Sequence, residues 1–310
     1  MHVLLTGSTG FVGKALMSTL RTKRHEISAT TRSQSDSSAS SNSFVVGEID
    51  ASTNWSTALQ GVNAVVHLAA RVHVMRDTAI DPLANFRSVN TEGTLNLARQ
   101  AAATGIRRFI FLSTIGVNGN TTQTEKPFKE NDASLPHDPY SVSKHEAEVG
   151  LRAISKSSGM EIVIIRPTLV HGSKAPGNFG KLTRLVSKGL PLPLASIDNR
   201  RSLVGIDNLV DFIVTCLKHP AAANETFLVS DNEDLSTPDL IRRMARAMNR
   251  PARLLPVPKS VLMAAATMLG KREIAQRLCG SLQVDISKSR TLLGWNPPVS
   301  VDEGLRGAVK

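Results

Sequence analysis

The sequence predicts an α/β fold: a doubly wound parallel sheet with a smaller C-terminal domain interleaved with it. Three observations lead to this prediction. A short apolar run from Val3 to Leu5 enters a turn with glycines three residues apart, and a helical pattern follows. Apolar strand-like runs then alternate with helical patterns through the first half, as in parallel βαβ units. After Pro167 this alternation breaks into stretches rich in Gly, Pro and Asn, where we expect long ligand-binding loops.

The periodicity of apolar residues places the individual elements. Strands are expected at His2–Leu5, Glu26–Thr30, Phe44–Val46, Ala64–Leu68, Arg108–Ser113, Glu161–Arg166 and Thr226–Ser230. Helices are expected at Pro82–Thr104, Ser141–Ser157, Asn208–Leu217 and Pro238–Asn249. The polar segment Ser33–Ser43 is expected to be an exposed, mobile loop. We assign 1–170 to the first domain, with 205–230 packing back onto it, and 171–204 with 231–310 to the second.

The composition limits the classes of function. The net charge is +11, from 37 Lys and Arg against 26 Asp and Glu. No basic run exceeds two residues and aromatic residues make up 4%, which favours attraction of small polyanions over nucleic-acid binding. The longest apolar run, Val261–Leu269, is too short to span a bilayer, so we expect a buried or amphipathic helix and no membrane insertion. With no signal peptide expected before the first strand and only Cys216 and Cys279, a reducing cytoplasm is expected.

The glycine turn predicts a site for a dinucleotide pyrophosphate at the start of a helix. Gly7 suits the tight turn, Gly10 lets the backbone approach the phosphates, and Gly13 lets the helix pack closely on the strand. The spacing excludes a P-loop, because Ser8 occupies the place of its first glycine and Ala15 that of its magnesium-binding hydroxyl.

Tyr140 and Lys144 predict a general acid/base, because residues four apart share one face of a helix. A lysine ammonium favours the ionised form of a nearby phenol, so we expect Lys144 to lower the pKa of Tyr140 from about 10. Such a phenol suits the interconversion of a hydroxyl and a ketone. The apolar strand that begins at Phe109 ends in two hydroxyl residues, Ser113 and Thr114. Because ligands bind at the carboxyl ends of such strands, Thr114 is expected within reach of the reacting oxygen.

In this order and spacing, the residues resemble the extended short-chain dehydrogenase/reductase family, in its NAD-dependent epimerase/dehydratase branch. The resemblance covers nearly the whole chain and implies a Rossmann-like fold with a nicotinamide cofactor, NAD or NADP. Its motifs are Thr6-Gly7-x-x-Gly10-x-x-Gly13, Gly47-Glu48-Ile49-Asp50, His67-Leu68-Ala69-Ala70, Val89-Asn90-x-x-Gly93-Thr94, Leu112-Ser113-Thr114, Tyr140-x-x-x-Lys144, Arg166-Pro167, Arg201-Ser202-Leu203-Val204 and Asp285-x-Ser287-Lys288 with Leu293-Gly294-Trp295.

The resemblance also implies roles for single residues. Tyr140 would be the catalytic acid/base, tuned by Lys144, and Thr114 would position a sugar hydroxyl. Asn90 would brace the catalytic helix, and a homodimer would form through the helices that carry Asn90 and Tyr140. Cofactor contacts are implied for Gly7, Gly10, Phe11, Val12, Gly13, Arg32, Glu48, Ile49, Leu68, Ala69, Ala70, Asn90, Lys144, Arg166 and Pro167. Substrate contacts are implied for Ser113, Thr114, Asn178 and Arg201, and no metal site is expected. His171 stands where the chain departs from the family's Val-Tyr-Gly-Pro motif, so it is either a substrate contact or a plain loop histidine.

The choice of reaction depends on the choice of cofactor. NAD-specific relatives carry an acid at the end of the second strand, whereas Thr31 and Arg32 here suit the 2′-phosphate of NADP. Arg32 favours a 4-keto reductase that consumes NADPH, while the family favours a 4-epimerase of a UDP-hexose or UDP-N-acetylhexosamine that retains NAD. Members in bacterial surface-polysaccharide and O-antigen pathways carry out both reactions, and both stay open. A reductase of a non-sugar ketone and a non-catalytic NADP-sensing protein are the remaining alternatives.

Overall fold

The fold is described by a computed structural model that covers residues 1–33, 42–72, 81–123 and 125–309. Most of the polar segment predicted as a mobile loop, 34–41, lies outside these described residues. Its last residue, Ser43, opens a strand.

Within the described part of the chain, seven parallel strands form the central sheet, in the order β3-β2-β1-β4-β5-β6-β9. They are β1 (His2–Thr6), β2 (Glu26–Thr31), β3 (Ser43–Val45), β4 (Ala64–His67), β5 (Arg108–Leu112), β6 (Glu161–Pro167) and β9 (Thr226–Val229). The order reverses between β1 and β4, which opens a crevice at the carboxyl ends of these strands. The predicted doubly wound parallel sheet is therefore confirmed.

Helices flank the sheet and build the second part of the chain. They are α1 (Phe11–Thr22), α2 (Pro82–Phe86), α3 (Thr94–Ala103), α4 (Pro139–Ser158), α5 (Gly177–Ser187), α6 (Ile206–Lys218), α7 (Thr237–Ala247), α8 (Lys259–Met268), α9 (Arg272–Cys279), α10 (Ser287–Leu293) and α11 (Val301–Ala308). Val3 and Leu5 of β1 join an apolar cluster with α1 and α6, whereas Leu4 between them joins another with α3 and α4. Because both faces of the sheet are covered, its strands are continuous apolar runs.

The chain leaves the sheet after β6 and later returns to it. Outside the sheet, β7 (Leu169–His171), β8 (Arg201–Gly205) and β10 (Asp234–Leu235) form a second, smaller sheet in the order β10-β8-β7. The chain returns with α6 against α1 and with β9 beside β6. A further apolar cluster, which includes Phe179 and Leu305, forms the core of the second part. The loops predicted to bind a ligand thus belong to excursions off the main sheet.

The helix predicted at Pro82–Thr104 is interrupted by a wider, π-helical stretch. This stretch covers Arg87–Gly93, between α2 and α3. The periodicity of apolar residues does not register such a local widening, because it changes the turn and not the sequence pattern. Its central residue, Asn90, takes part in the candidate site described below.

The apolar run Val261–Leu269 forms α8, but the prediction that it is buried or amphipathic is wrong. None of the residues in α8 is fully buried, and the side chain of Met268 is 88% exposed. A run of apolar residues identifies a helix but does not say which elements cover it. No helix in the described part of the chain is both long and apolar enough to cross a membrane.

Candidate active site

The turn between β1 and α1 brings the predicted glycines together at the carboxyl edge of the sheet. Gly7 has a left-handed φ of +68°, and a Cβ there would lie 2.7 Å from the backbone nitrogen of Ala69. A Cβ on Gly13 would clash with the carbonyl oxygen of Gly7. Helix α1 begins after Gly10 with no side-chain cap among the described residues, so its first amides are left for a phosphate. The turn therefore fits a dinucleotide pyrophosphate.

Tyr140 and Lys144 lie one turn apart in α4. The helix begins with a capping box, in which the Asp138 carboxylate accepts a bond from the Ser141 amide at 2.7 Å. In return, the backbone N–H of Asp138 donates to the Ser141 hydroxyl at 3.1 Å. This cap fixes the start of the helix and with it the direction of Tyr140. The ring of Tyr140 is half-buried, with the edge of the Phe86 ring 6.1 Å away between centroids.

Thr114 follows β5 and lies beside the first turn of α4. Its Oγ1 accepts a hydrogen bond of 3.2 Å from the Gly116 amide. A Cβ on Gly116 would lie 3.2 Å from the Cβ of Ser141, which shows how closely this turn packs on α4. Among the described contacts the Thr114 hydroxyl donates no hydrogen bond, so its hydrogen can reach a substrate oxygen. The end of β5 thus brings Thr114 to the helix that carries Tyr140.

Burial is the main influence on the pKa values of Tyr140 and Lys144. Lys144 is 1% exposed, with Nζ 3.9 Å from the centroid of the Phe111 ring. Burial lowers the pKa of Lys144 to about 7, although Glu148 acts in the opposite direction. Burial, and then Asp138, raise the pKa of Tyr140 above its ordinary value of 10. The expectation that Lys144 lowers the pKa of Tyr140 is therefore wrong for this structure, in which burial and the negative charge of Asp138 both raise it.

Asn90 joins α4, the helix that carries Tyr140, to the loop after β4. The side chain is fully buried, and its Oδ1 accepts a bond of 2.8 Å from the Arg71 amide. Its Nδ2 donates to the Arg71 carbonyl at 3.0 Å and to the Ser143 hydroxyl at 3.0 Å. The Ser143 hydroxyl in turn donates to the Tyr140 carbonyl at 2.7 Å. The π-helical stretch thus turns Asn90 onto protein groups, in the bracing geometry that the family resemblance implies.

A buried network around Glu148 holds two predicted site residues inside the protein. Arg166 donates to both Glu148 oxygens, at 2.9 and 2.5 Å, and to Asn118 Oδ1 at 2.9 Å. Ser113 donates its hydroxyl to Glu148 Oε1 at 2.5 Å. The structure therefore binds the side chains of Arg166 and Ser113 into this network, and the cofactor and substrate contacts expected for them stay predictions. Sequence reasoning missed Glu148, whose one signal is its position four residues after Lys144 in the same helix.

His171 is also placed in the protein core, away from the predicted substrate contact. The side chain is fully buried, and its Nε2 lies 2.8 Å from Asp231 Oδ2. The same carboxylate accepts bonds from the Gly205 amide and from Asn208 Nδ2. His171 therefore joins the small sheet to the start of α6, a structural role that its loop-like sequence context does not indicate.

His67 is a second buried histidine that sequence reasoning did not single out. Its Nδ1 lies 2.7 Å from the Thr6 hydroxyl and its Nε2 lies 2.9 Å from that of Thr94. Burial, and then the charge of Lys144, lower the pKa of His67 to about 3. A neutral imidazole thus links β1, β4 and α3 beneath the cofactor crevice.

The remaining predicted cofactor residues lie along the rim of the crevice. Arg32 directly follows β2 with a largely exposed side chain, 3.9 Å from Glu48 in their closest N–O approach. Ile49 packs against Gly93, where a Cβ would lie 2.7 Å from its Cγ2. The other members of this set are Phe11 and Val12 in the first turn of α1, Leu68, Ala69 and Ala70 after β4, and Pro167 at the end of β6.

The predicted substrate residues of the second part occupy two separate elements. Asn178 is exposed in the first turn of α5. Arg201 begins β8, and its Nη1 donates to the carbonyls of Arg277 at 2.8 Å and Gly280 at 3.0 Å. Burial lowers the pKa of Arg201 from its ordinary value, with Arg277 acting in the same direction. These bonds hold the guanidinium in place and, among the described contacts, leave its Nε–Nη2 edge for a ligand.

The fold and the site together define an α/β enzyme with a dinucleotide crevice beside a Tyr–Lys helix. The sequence profile of the NAD dependent epimerase/dehydratase family matches residues 3–230. The chain belongs to this family.

Curated relatives match along nearly the full length. The chain is 49% identical to a UDP-glucose 4-epimerase of Vibrio cholerae over 98% of this chain and 93% of that one. It is 28% identical, with the same coverage, to an N-acetyl-alpha-D-glucosaminyl-diphospho-ditrans,octacis-undecaprenol 4-epimerase of Escherichia coli O157:H7.

A solved structure has the same fold. The UDP-N-acetylglucosamine 4-epimerase of Bacillus cereus aligns with a TM-score of 0.81 over 99% of this chain and 97% of that one. At 21% identity this match concerns the fold alone.

Proposed function

We propose that this chain is a nicotinamide-dependent 4-epimerase of a UDP-hexose or UDP-N-acetylhexosamine in polysaccharide biosynthesis. The observation that carries the proposal is the half-buried phenol of Tyr140, one turn from the fully buried Lys144, at the edge of the sheet that holds the glycine turn. The 49% identity to a UDP-glucose 4-epimerase along almost the whole chain supports the choice of substrate.

The residues present fit the dinucleotide. The amides of Phe11 and Val12 would bind its pyrophosphate at the start of α1, and Lys144 would bind the nicotinamide ribose. When bound, the dinucleotide supplies the hydride acceptor and, in its oxidised form, a positive ring charge near the phenol. Glycines at 7, 10 and 13 keep the backbone close enough for this contact.

Tyr140 would move the proton at the substrate's 4-hydroxyl. Its raised pKa keeps the phenol protonated in the free protein, ready to donate to a ketone oxygen. Removal of a proton from the alcohol requires the ionised phenol, which added positive charge in the closed crevice favours. Thr114, whose hydrogen is available, would orient the same oxygen.

Arg201 would bind the diphosphate of the substrate. Two carbonyls hold its Nη1, so the guanidinium is oriented before the ligand arrives. Its remaining edge matches two oxygens of a diphosphate in parallel, charge-assisted bonds. Asn178, exposed at the start of α5, would contact the ligand from the other side.

A 4-keto reductase that uses NADPH is the second candidate, and Arg32 is the observation that favours it. The side chain is 71% exposed at the end of β2, where it would meet the 2′-phosphate of NADP. Its closest approach to Glu48 is 3.9 Å, a distance that leaves the guanidinium free to turn to a phosphate.

The cofactor that copurifies with the protein tests the two candidates. An epimerase retains NAD and interconverts UDP-glucose with UDP-galactose, or their N-acetylated forms, without added cofactor. A reductase is isolated without dinucleotide and oxidises NADPH only in the presence of a 4-keto sugar nucleotide. Protein that binds NAD but converts none of these sugars would contradict both.

We also propose a cytoplasmic homodimer in which the helical segments that carry Asn90 and Tyr140 in two copies pack together. The exposed Val149 of α4, with 56% of its surface accessible, supports this arrangement. Light scattering after gel filtration should give twice the chain mass, and Val149→Glu should reduce it to one chain. A wild-type mass of one chain would contradict the proposal.

A further inference from the structure

Helix α8 presents apolar side chains to solvent. Val261, Ala264, Ala265 and Met268 are spaced as one helical face and are all exposed, Val261 by 54% and Met268 by 88%. Leu269, 71% exposed, extends this surface into the turn before α9. We call these residues, with Ile274 of α9, the α8–α9 face.

The opposite side of α8 is anchored to the protein. Leu262 packs against the apolar core of the second part, and α8 also packs against α9. A surface helix ordinarily turns polar residues to water once its apolar stripe faces the core. Here the solvent side is apolar as well, and contiguous exposed surface of this kind marks an interaction site.

Basic residues flank the α8–α9 face in the sequence and at the two ends of α8. The segment 250–277 contains six Lys and Arg and one Glu, a net charge of +5 within a chain of net charge +11. Lys259 stands at one end of α8, and Lys271 and Arg272 follow Leu269 at the other. The apolar surface is therefore framed by positive charge at both ends of the helix.

We propose that the α8–α9 face docks on the surface of an anionic lipid bilayer. Exposed apolar side chains of this kind can enter the acyl boundary of a bilayer, while the Lys and Arg residues at the ends of the helix meet anionic headgroups. The association is peripheral, since no described helix can cross the membrane.

The charge favours a bilayer over a second copy of the chain. In a symmetric dimer the same surface meets itself, so the positive segment 250–277 would face its own counterpart. Like charges held together at an interface oppose association. An anionic bilayer gives both the apolar surface and the cations a favourable partner.

Docking would place one side of the candidate site near the lipid. The carbonyls of Leu278 and Gly280, at the end of α9, accept bonds from Asn199 Nδ2. The Gly280 carbonyl and that of Arg277 also bind Arg201. The α8–α9 face is thus joined rigidly to the proposed diphosphate residue. The docking itself does not depend on which sugar the site accepts.

Co-sedimentation of the full-length protein with lipid vesicles tests the proposal. We expect binding to phosphatidylcholine vesicles that contain about one-third phosphatidylglycerol, and at least about tenfold weaker binding to phosphatidylcholine alone. Binding to the anionic vesicles should also weaken in about 1 M salt, because salt screens the attraction between the basic residues and the lipid headgroups. Protein that stays in solution with the anionic vesicles would overturn the proposal.

Two sets of variants test the apolar and the basic residues of this surface, each with a control elsewhere on the protein. Met268→Glu with Leu269→Glu should weaken binding at least about tenfold, whereas Leu292→Glu, 38% exposed on α10, should not. Lys271→Glu with Arg272→Glu should weaken it similarly, whereas Arg21→Glu with Lys23→Glu at the end of α1, an equal change in charge, should have a smaller effect.

Activity and mass complete the test. All variants should retain wild-type turnover of a soluble substrate and wild-type thermal unfolding, which shows that they fold. Vesicle binding unchanged by Met268→Glu with Leu269→Glu would overturn the proposal. So would a lower molecular mass of that variant in solution, because the face would then be a contact between copies.

Discussion

The ammonium of Lys144 lies 3.9 Å from the centroid of the Phe111 ring, beneath the helix that carries Tyr140. The aromatic face supplies part of the stabilisation that water would otherwise give to the charge. Burial of the charged Lys144 ammonium nevertheless destabilises the folded protein, which is why its pKa falls to about 7.

Replacement of this lysine should stabilise the protein while it removes function. The unfolded chain holds the Lys144 proton up to pH about 10.5 and the folded chain only up to about 7, so the penalty is full below pH 7 and is relieved as pH rises toward 10.5. Lys144→Met should raise the free energy of unfolding at pH 6 by on the order of 2–4 kcal/mol, and by less at pH 9. Urea unfolding at both pH values measures this, with Lys156→Met, exposed on the same helix, as control. A gain that is equal at the two pH values would contradict the assignment.

Tyr140→Phe should abolish turnover and preserve cofactor binding. The substitution removes the hydroxyl that exchanges a proton with the substrate and keeps the ring against Phe86. Turnover should fall by about 10²–10⁴-fold. Titration with NADH and NADPH should give wild-type affinities. Retained turnover would show that another group is the acid/base.

Asn90→Ala should lower both stability and turnover. The buried amide binds the Arg71 backbone and the Ser143 hydroxyl, and its loss should cost about 1–3 kcal/mol of unfolding free energy. Asn96→Ala is the matched control, because the Asn96 amide donates to the carbonyls of Asp50 and Thr53 instead. It should lose stability and keep turnover. Equal loss of turnover in both variants would deny Asn90 a positioning role.

Alanine at two glycines of the turn should have different effects. Gly13→Ala forces a side chain onto the Gly7 carbonyl and should destabilise the fold by about 1–3 kcal/mol. Gly10 has an ordinary extended backbone, and a Cβ there would lie 3.2 Å from Gly7 O. Gly10→Ala should therefore fold normally and bind the dinucleotide about tenfold more weakly. Urea unfolding and cofactor titration distinguish the two, and wild-type affinity of Gly10→Ala would contradict a phosphate at this turn.

Arg32→Asp should weaken the binding of NADPH selectively. The substitution replaces the exposed cation at the end of β2 with an acid that repels the 2′-phosphate. The dissociation constant for NADPH should rise about 10–100-fold, with a much smaller change for NADH. Arg21→Asp, on the last turn of α1, controls for net charge. Equal affinities for NADPH before and after the Arg32 substitution would remove the case for NADP.

The sequence predicts the sheet well because its determinants are local. β1 and the turn after it follow from Val3–Leu5 and three glycines, and α4 (Pro139–Ser158) lies within two residues of the helix predicted at Ser141–Ser157. Contacts between residues that are far apart in the sequence do not follow from a local pattern. His171 contacts Asp231, which lies 60 positions later in the sequence, and Arg166 binds Glu148 in the preceding helix α4. Nothing in the local pattern distinguishes such buried pairs from residues that await a ligand.

The pKa of Tyr140 was predicted in the wrong direction for a related reason. The spacing of Tyr140 and Lys144 is a local property, but the water each side chain loses depends on β5 and the surrounding core. An argument from charges alone, without the effect of burial, therefore gives the wrong direction for the pKa of Tyr140.

The return of the chain through α6 and β9 ties its two parts together. Because β9 pairs with β6, the elements β7, α5 and β8 lie within a single crossover of the main sheet, which α6 completes. A protein cut after β6 would expose that strand as an unpaired edge. The two parts are therefore not separable modules, and a graft of the main sheet into another protein would have to carry α6 and β9 with it.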